Sequence, residues 1–377
     1  MKKVVFLSTM AFDTNVSIIK RLKEKYDLYT FFLCNTALGC LDTITLSKHI
    51  VSVQEEKTKF KRLKDFINFE KSFLVKHFPP YNINRYVVAW KVYRKIAELN
   101  PDIIITDAQT FQYFFSRLIF RKRTISIVHD PFPHSGEYTF TKKLIKWFQK
   151  YLSIKFLLFN ESQKMEFIEK QGIPHNKVYT SFLSEYEFYR IFDHKITQKE
   201  NDKFYILFFG RISPYKGISY LLEACSRLID EGRPIIVTIA GKGEFNFDIT
   251  KYKNYKEIHI INEMIESEHM VKLIKSTDII VCPYTDATQS GVIMTGYAYN
   301  KPVIATKVGG LPEMLNDGKT GYLISPKSSD SIYNAIVDLM GNNEVMDVYK
   351  KNIQQIYREG NKSWEEAINR IIFCIEN

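Results

Sequence analysis

Two cations, Arg211 and Lys216, stand close together just past an apolar run in the segment ILFFGRISPYKGISYLLEA, residues 206–224. The run reads as a buried strand ending at Phe209. Gly210 permits a tight turn, and Gly217 lets a helix begin. Amide groups at a helix start, with two flexible cations beside them, form a pocket suited to a diphosphate. A plain strand-turn-helix connection carrying two surface cations is the alternative.

A second segment, PYTDATQSGVIMTGYAYNKPVIATKVGGLPEMLNDGKTGYLI at residues 283–324, repeats the theme. Pro283 ends a strand, Asp286 to Gly291 form a small polar loop, and residues 292–299 read as a short helix whose first amides face that loop. That arrangement again favours an anion. Lys301-Pro302 leads into another buried strand, Gly309-Gly310 makes a turn in which backbone can approach a ligand, and Glu313 opens a further helix. Each glycine could simply shape a loop, but two anion-suited helix starts in one half weigh towards binding.

A third segment, SIVHDPFPHSGE at residues 126–137, follows a predicted strand. Two histidines, two prolines and two acids in a rigid loop suit sugar hydroxyls, which need donors and acceptors held in place. A metal site is the rival, but His129 and His134 flank Pro131 and Pro133 without a helical face or a third ligand. A buried histidine with a satisfied ring is the other reading. Near the N-terminus, STMAFDTNV can present Ala11, Asp13 and Asn15 as a polar loop, with Asn15 capping the first helix.

Short apolar runs rich in Val, Ile and Phe alternate with longer amphipathic stretches, the pattern of β-α units around a parallel sheet. Strands are predicted at 4–8, 28–33, 103–106, 124–128 and 156–159, then at 204–209, 235–240, 258–261, 279–283 and 302–305. Helices are predicted at 15–24, 86–99, 141–151, 162–171, 218–231, 266–276, 292–299 and 330–340. The stretch 183–202 is polar and charged without a clean period and reads as a linker. Two doubly wound domains follow, with ligands expected at the carboxyl ends of the strands facing a cleft.

The chain has 377 residues, 45% of them apolar and 25% charged, which excludes a disordered chain and allows two or three domains. No apolar run approaches the roughly 18 residues of a membrane-spanning helix. The first residues, MKKVVFLSTM, lack a small-residue cleavage site and read as a buried strand. Five cysteines, an odd number without CxxC pairing, point to a reducing cytoplasm and no structural zinc. An excess of 53 Lys and Arg over 42 Asp and Glu, +11, suits an anionic partner. The cations are dispersed and no nucleic-acid module is recognisable, so nucleic acid is not the expected partner. Basic and aromatic residues do gather at Lys142, Lys143, Lys146, Trp147, Phe148 and Lys150. They form either a solvated face or a peripheral contact with an anionic membrane.

The order and spacing of FFGRISPYKG, IAGKGE, KPVIATKVGGLPEML and DGKTGYLI over residues 204–340 resemble the retaining, nucleotide-sugar-dependent glycosyltransferases of family 4. The resemblance implies the α/β GT-B architecture of two facing Rossmann-like domains. It divides the chain into an acceptor domain at 1–185, a donor domain at 186–360, and a C-terminal helix at 361–377 packing back toward the first. It implies that Arg211 and Lys216 hold the donor diphosphate, that His129 reaches the transferred sugar, and that no cofactor or metal is needed. Asp130, His134, Glu137, Asp13 and Asn15 become acceptor candidates. The family's paired glutamates fall at Ala287 and Thr295, so neither carboxylate is present. The TQSGV loop resembles a subgroup in which Gln289, Ser290, Gly291 and Val292 line the sugar and phosphate site beside Gly210. Thr295 and Glu313 complete the donor set, with Asp286 the nearest acid. The expectation is a cytoplasmic glycosyltransferase, peripheral at the inner face of the cell membrane, that moves a sugar onto a glycan or lipid-linked glycan in bacterial surface polysaccharide synthesis. A catalytically silent sugar-nucleotide-binding subunit and a nucleotide-sugar epimerase remain as alternatives.

Overall fold

The computed structural model describes residues 1–9, 12–34, 46–107, 110–132, 150–193 and 202–377. Among them the chain forms two units. One takes the described residues up to Phe182 together with Trp364–Asn377, and the other takes Leu183–Ser363.

The first unit is built on eight strands: β1 (Lys3–Ser8), β2 (Asp27–Cys34), β3 (Ile50–Ser52), β4 (Ser72–Lys76), β5 (Ile103–Thr106), β6 (Thr124–Val128), β7 (Lys155–Leu158) and β8 (Val178–Thr180). Their order is β3-β4-β2-β1-β5-β6-β7-β8, parallel except for the antiparallel edge pair β3 and β4. The central strands are apolar throughout because helices cover both faces of a parallel sheet; Val4 to Leu7 are fully buried. The helix Asn84–Leu99 lays Val88, Val92 and Ile96 against Val5, Leu7, Phe31 and Ile104. It ends where Asn100 turns left-handed ahead of Pro101. The C-terminal helix Trp364–Glu376 belongs to this same unit. Arg21 pairs with Glu365 at 3.0 Å, Tyr26 Oη donates to Glu376 at 2.7 Å, and Lys155 Nζ donates to the Cys374 carbonyl at 2.8 Å.

The second unit carries six strands, β9 (Phe204–Phe209), β10 (Ile235–Ala240), β11 (Ile258–Ile261), β12 (Ile279–Cys282), β13 (Val303–Thr306) and β14 (Gly321–Ile324), all parallel in the order β11-β10-β9-β12-β13-β14. The helix Ile218–Asp230 buries Ile218, Leu221, Leu222, Cys225 and Leu228 along one stripe.

Several expectations need correction. Strands β3, β4, β8 and β14 and the helices Phe114–Ile119 and Asn343–Ile353 were not anticipated. The stretch 183–193, read as a polar linker, opens the second unit with packed side chains: Leu183, Tyr186, Phe188 and Phe192 are buried. Buried Glu185 accepts from Arg190 at 2.5 Å and from Arg358 at 3.2 Å. The first helix begins at Phe12, which places Asn15 inside its first turn rather than at its cap. Most of the predicted helix 141–151, with Lys142, Lys143 and Lys146, lies outside the described residues.

Candidate functional site

In a doubly wound sheet a ligand binds outside the carboxyl ends of the strands, where the strand order reverses. In the second unit that point falls between β9 and β12, and the two anion-suited segments leave the sheet there. From β9 the chain runs through Gly210 to Arg211, makes a 3-10 turn at Pro214–Lys216, and enters the helix at Ile218. Gly217 joins them at φ 63°, and a Cβ there would meet the Pro283 carbonyl oxygen at 2.0 Å. The cation turn is thereby seated on the end of β12, a seating tied down by Thr285 N–H donating to Tyr215 O at 2.7 Å.

The cations differ in setting. Arg211 is exposed and donates from Nη2 to Tyr215 Oη at 3.1 Å. Half-buried Lys216 stands with Nζ 3.6 Å from the centroid of the fully buried Tyr284 ring and 5.0 Å from that of Tyr215.

The helix Gly291–Ala298 starts beside them. A Cβ on Gly210 would lie 3.5 Å from Val292 Cγ2, which measures how closely the turn and the helix start approach. Ser290 occupies the cap position but sends its hydroxyl to Tyr284 Oη at 3.3 Å, while its own N–H donates to Met314 Sδ at 3.1 Å. The amides of the first helical turn therefore receive no side-chain cap, which leaves the positive helix end available to an anion. Buried Gln289 Oε1 and Ser213 Oγ have no hydrogen-bond partner in the protein. The Gly309-Gly310 turn closes over the polar loop, because a Cβ at Gly309 would overlap the Ala287 carbonyl oxygen at 1.5 Å.

Gly210, Arg211, Lys216, Asp286, Gln289, Gly291 and Val292 thus gather at one switch point. Two members of the predicted donor set do not present a hydroxyl. Ser290 is buried against Tyr284, and Thr295, 3% exposed, donates to the Gly291 carbonyl at 2.8 Å within its own helix. Glu313 is half-buried in the short helix Leu311–Met314, whose Met314 supplies the sulfur beneath Ser290. Burial pushes the Cys282 thiol up to about 11, with Lys216 pulling it back, so it is no thiolate near neutrality.

In the first unit the switch point lies between β1 and β5. Here the structure adds a residue that sequence reasoning missed. Asp107 follows β5 with its side chain fully buried and accepts from Thr9 N–H at 2.7 Å, Thr9 Oγ1 at 2.8 Å and Asn15 Nδ2 at 2.6 Å. Its Oδ2 stands 3.6 Å from His129 Nε2, at the end of β6. Burial disfavours the His129 imidazolium, but Asp107, with Asp130 and Asp13 nearby, outweighs it and raises the pKa. Asp107 is held below its ordinary value, since His129, Asn15 and Thr9 together outweigh its burial. Asn15 serves as a ligand of Asp107 and of Ser8 Oγ, at 2.7 Å, rather than as a cap. Asp130 is exposed and Asp13 half-buried; His134 and Glu137 lie outside the described residues. Among the described residues no cluster of three or more metal-ligating side chains occurs, and Cys34, Cys225, Cys282 and Cys374 are buried and free.

Residues 190–356 match the family described as glycosyl transferases group 1. The uncharacterized glycosyltransferase MJ1069 of Methanocaldococcus jannaschii is 22% identical over 371 residues, spanning 92% of this chain and 88% of that protein. The alpha-D-kanosaminyltransferase of Streptomyces kanamyceticus is 22% identical over 56% of this chain and 58% of its own length. A crystal structure of Anabaena Alr3699/HepE in complex with UDP-glucose covers 99% of this chain and 100% of that one at a TM-score of 0.70 and 15% identity. With two Rossmann-like α/β units in one chain, this protein has the GT-B fold, and its residues 190–356 match the glycosyl transferases group 1 family.

Proposed function

We propose that the chain is a retaining glycosyltransferase that moves a sugar from a nucleoside diphosphate donor onto a glycan or lipid-linked glycan in bacterial surface polysaccharide synthesis. The observation that carries the reading is the convergence of Arg211, Lys216 and the uncapped start of the helix Gly291–Ala298 at the switch point between β9 and β12. Cations and helix amides held in place before the reaction stabilise charge as it develops on the departing diphosphate, the task a divalent metal performs elsewhere. The unpartnered Gln289 Oε1 and Ser213 Oγ add neutral polar groups to the same site. That the Anabaena neighbour was crystallised with UDP-glucose supports a uridine donor for this chain.

An inverting transfer needs a general base to take the acceptor proton, and the His129–Asp107 pair is the arrangement that favours that second reading. The raised pKa of His129 favours its protonated form, which donates rather than accepts, and this supports front-face transfer with His129 donating to a sugar oxygen. Transfer from a UDP-sugar of known α configuration, followed by NMR of the product anomer in the presence of EDTA, tests both points. An α product formed without added metal is expected. A β product, or turnover restored only by magnesium or manganese, would overturn the mechanism; donor binding without turnover on any acceptor would favour a silent binding subunit.

A further inference from the structure

Away from both switch points, the sheet of the first unit ends at β8, whose outer edge no strand covers among the described residues. The helix Lys164–Gln171 packs on one face of that edge and the helix Trp364–Glu376 on the other. Between these two walls runs an open groove of about 570 Å³, a volume in the range of small-molecule sites. Side chains alternate along β8. Val178 packs with Phe167 and Ile173 on the first wall, whereas Tyr179 turns to the second, where its ring meets that of Phe373 edge-on at 6.1 Å. Phe373 is 60% exposed, so its ring lies open to the groove.

The polar groups around the rings are donors and acceptors rather than net charge. Exposed Asn176 and Asn369 each bring a side-chain amide, which both donates and accepts. Ser181 N–H donates to the Leu158 carbonyl at 2.8 Å, so strand alternation turns the Thr180 N–H and carbonyl toward the groove. The cations are matched: Lys164 faces Glu161 at 3.6 Å, and Arg370 Nε faces Glu366 at 4.0 Å.

We infer that the groove along β8 holds a neutral stretch of a glycan, with a sugar ring against Phe373 and its hydroxyls on Asn176 and Asn369. A sugar ring offers an apolar C–H face and an edge of hydroxyls, and the groove offers the complement of both. A phosphate or a uronate would find the cations already faced by carboxylates. An added peptide strand would find only three residues of edge, too short for a ladder. Thr180 ends β8 two strands from β6, whose own carboxyl end carries His129. At about 4.8 Å per strand that offset is about 10 Å, a span that a short run of sugar rings covers. The inference rests on the transfer proposed above: the groove holds remote sugars of the acceptor while its terminal residue lies at the His129 end of the sheet.

The test is saturation-transfer NMR of the full chain with neutral pentaoses of glucose, galactose and mannose, each titrated with UDP present at saturation. At least one pentaose should bind. Phe373→Ala should weaken it about tenfold, and Phe373→Tyr should keep most of the wild-type affinity. UDP binding and circular dichroism should not change in either variant. In transfer from UDP-glucose, the pentaose should show a KM about tenfold below that of the matching disaccharide at equal kcat, and Phe373→Ala should abolish the gap. Several results would overturn the inference: binding of no pentaose, wild-type affinity in Phe373→Ala, one KM for both acceptor lengths, tighter binding of a pentagalacturonate, or a dimer in ultracentrifugation that Phe373→Ala dissociates. Pentaose binding that Phe373→Ala weakens, without transfer of any sugar, would instead strike the transfer reading and leave the groove standing.

Discussion

Asp107 Oδ2 lies 3.6 Å from His129 Nε2, joining the carboxyl ends of β5 and β6 through a carboxylate that no water reaches. This neighbour outweighs burial and raises the His129 pKa. In Asp107→Asn burial is opposed only by Asp130 and Asp13, so the His129 titration should move down from its wild-type position, as followed by its Cε1 proton in NMR. The sign for stability follows from both groups. The His129 contribution is present below 6.5 and is lost as pH rises through its raised value; that of Asp107 is present above 3.8 and is lost as pH falls through its depressed value. The wild type should therefore exceed Asp107→Asn most clearly between those limits, by about 2–4 kcal/mol. An unmoved His129 titration would show that the pair is not coupled.

Gly217 is held between a left-handed backbone and the Pro283 carbonyl. Gly217→Ala should cost about 2–4 kcal/mol in urea unfolding, since both the strain and the displaced carbonyl contribute. Because the turn that shifts carries Lys216, nucleoside diphosphate binding should fall as well. Wild-type stability in this variant would remove the close approach of the two segments.

Glu185 is 3% exposed between Arg190 and Arg358. Removing one partner of a buried ion pair leaves the others unmatched, although both arginines reach solvent in part. Glu185→Ala should lower stability by about 2–3 kcal/mol, read by denaturant midpoint, and Glu185→Gln by less because an amide oxygen can still accept. Equal, small losses for both variants would make this pairing incidental.

The central strands of both sheets were legible because a strand buried on two faces carries an apolar run, as ILFF within β9 and VVFL within β1 do. The edges were not. Strand β4, SFLVK, is short and ends in a cation, and β14, GYLI, begins at a glycine, so neither stands out from loop sequence. The cation turn and the helix start at Gly291 were legible because glycine, cation and helix signals coincide along the chain. Asp107 was not, since its partners Thr9, Asn15 and His129 come from distant segments; the usable signal was its place directly after a predicted central strand. The burial of Glu185 was not legible for a related reason: it stands among Glu187, Arg190 and Asp193, and the arginine that completes its pairing arrives from position 358.

Calorimetric titration of UDP, UMP and uridine into the wild type, Lys216→Ala and Arg211→Ala tests the donor site most directly. Lys216 and Arg211 flank the open helix start at Gly291, so affinity should rise from uridine to UDP, and each substitution should weaken UDP by about 10- to 100-fold while leaving uridine unchanged. Circular dichroism should report folded protein in both variants. Equal affinity for UDP and uridine, or wild-type UDP binding when both cations are removed together, would contradict the assignment of this switch point to a diphosphate.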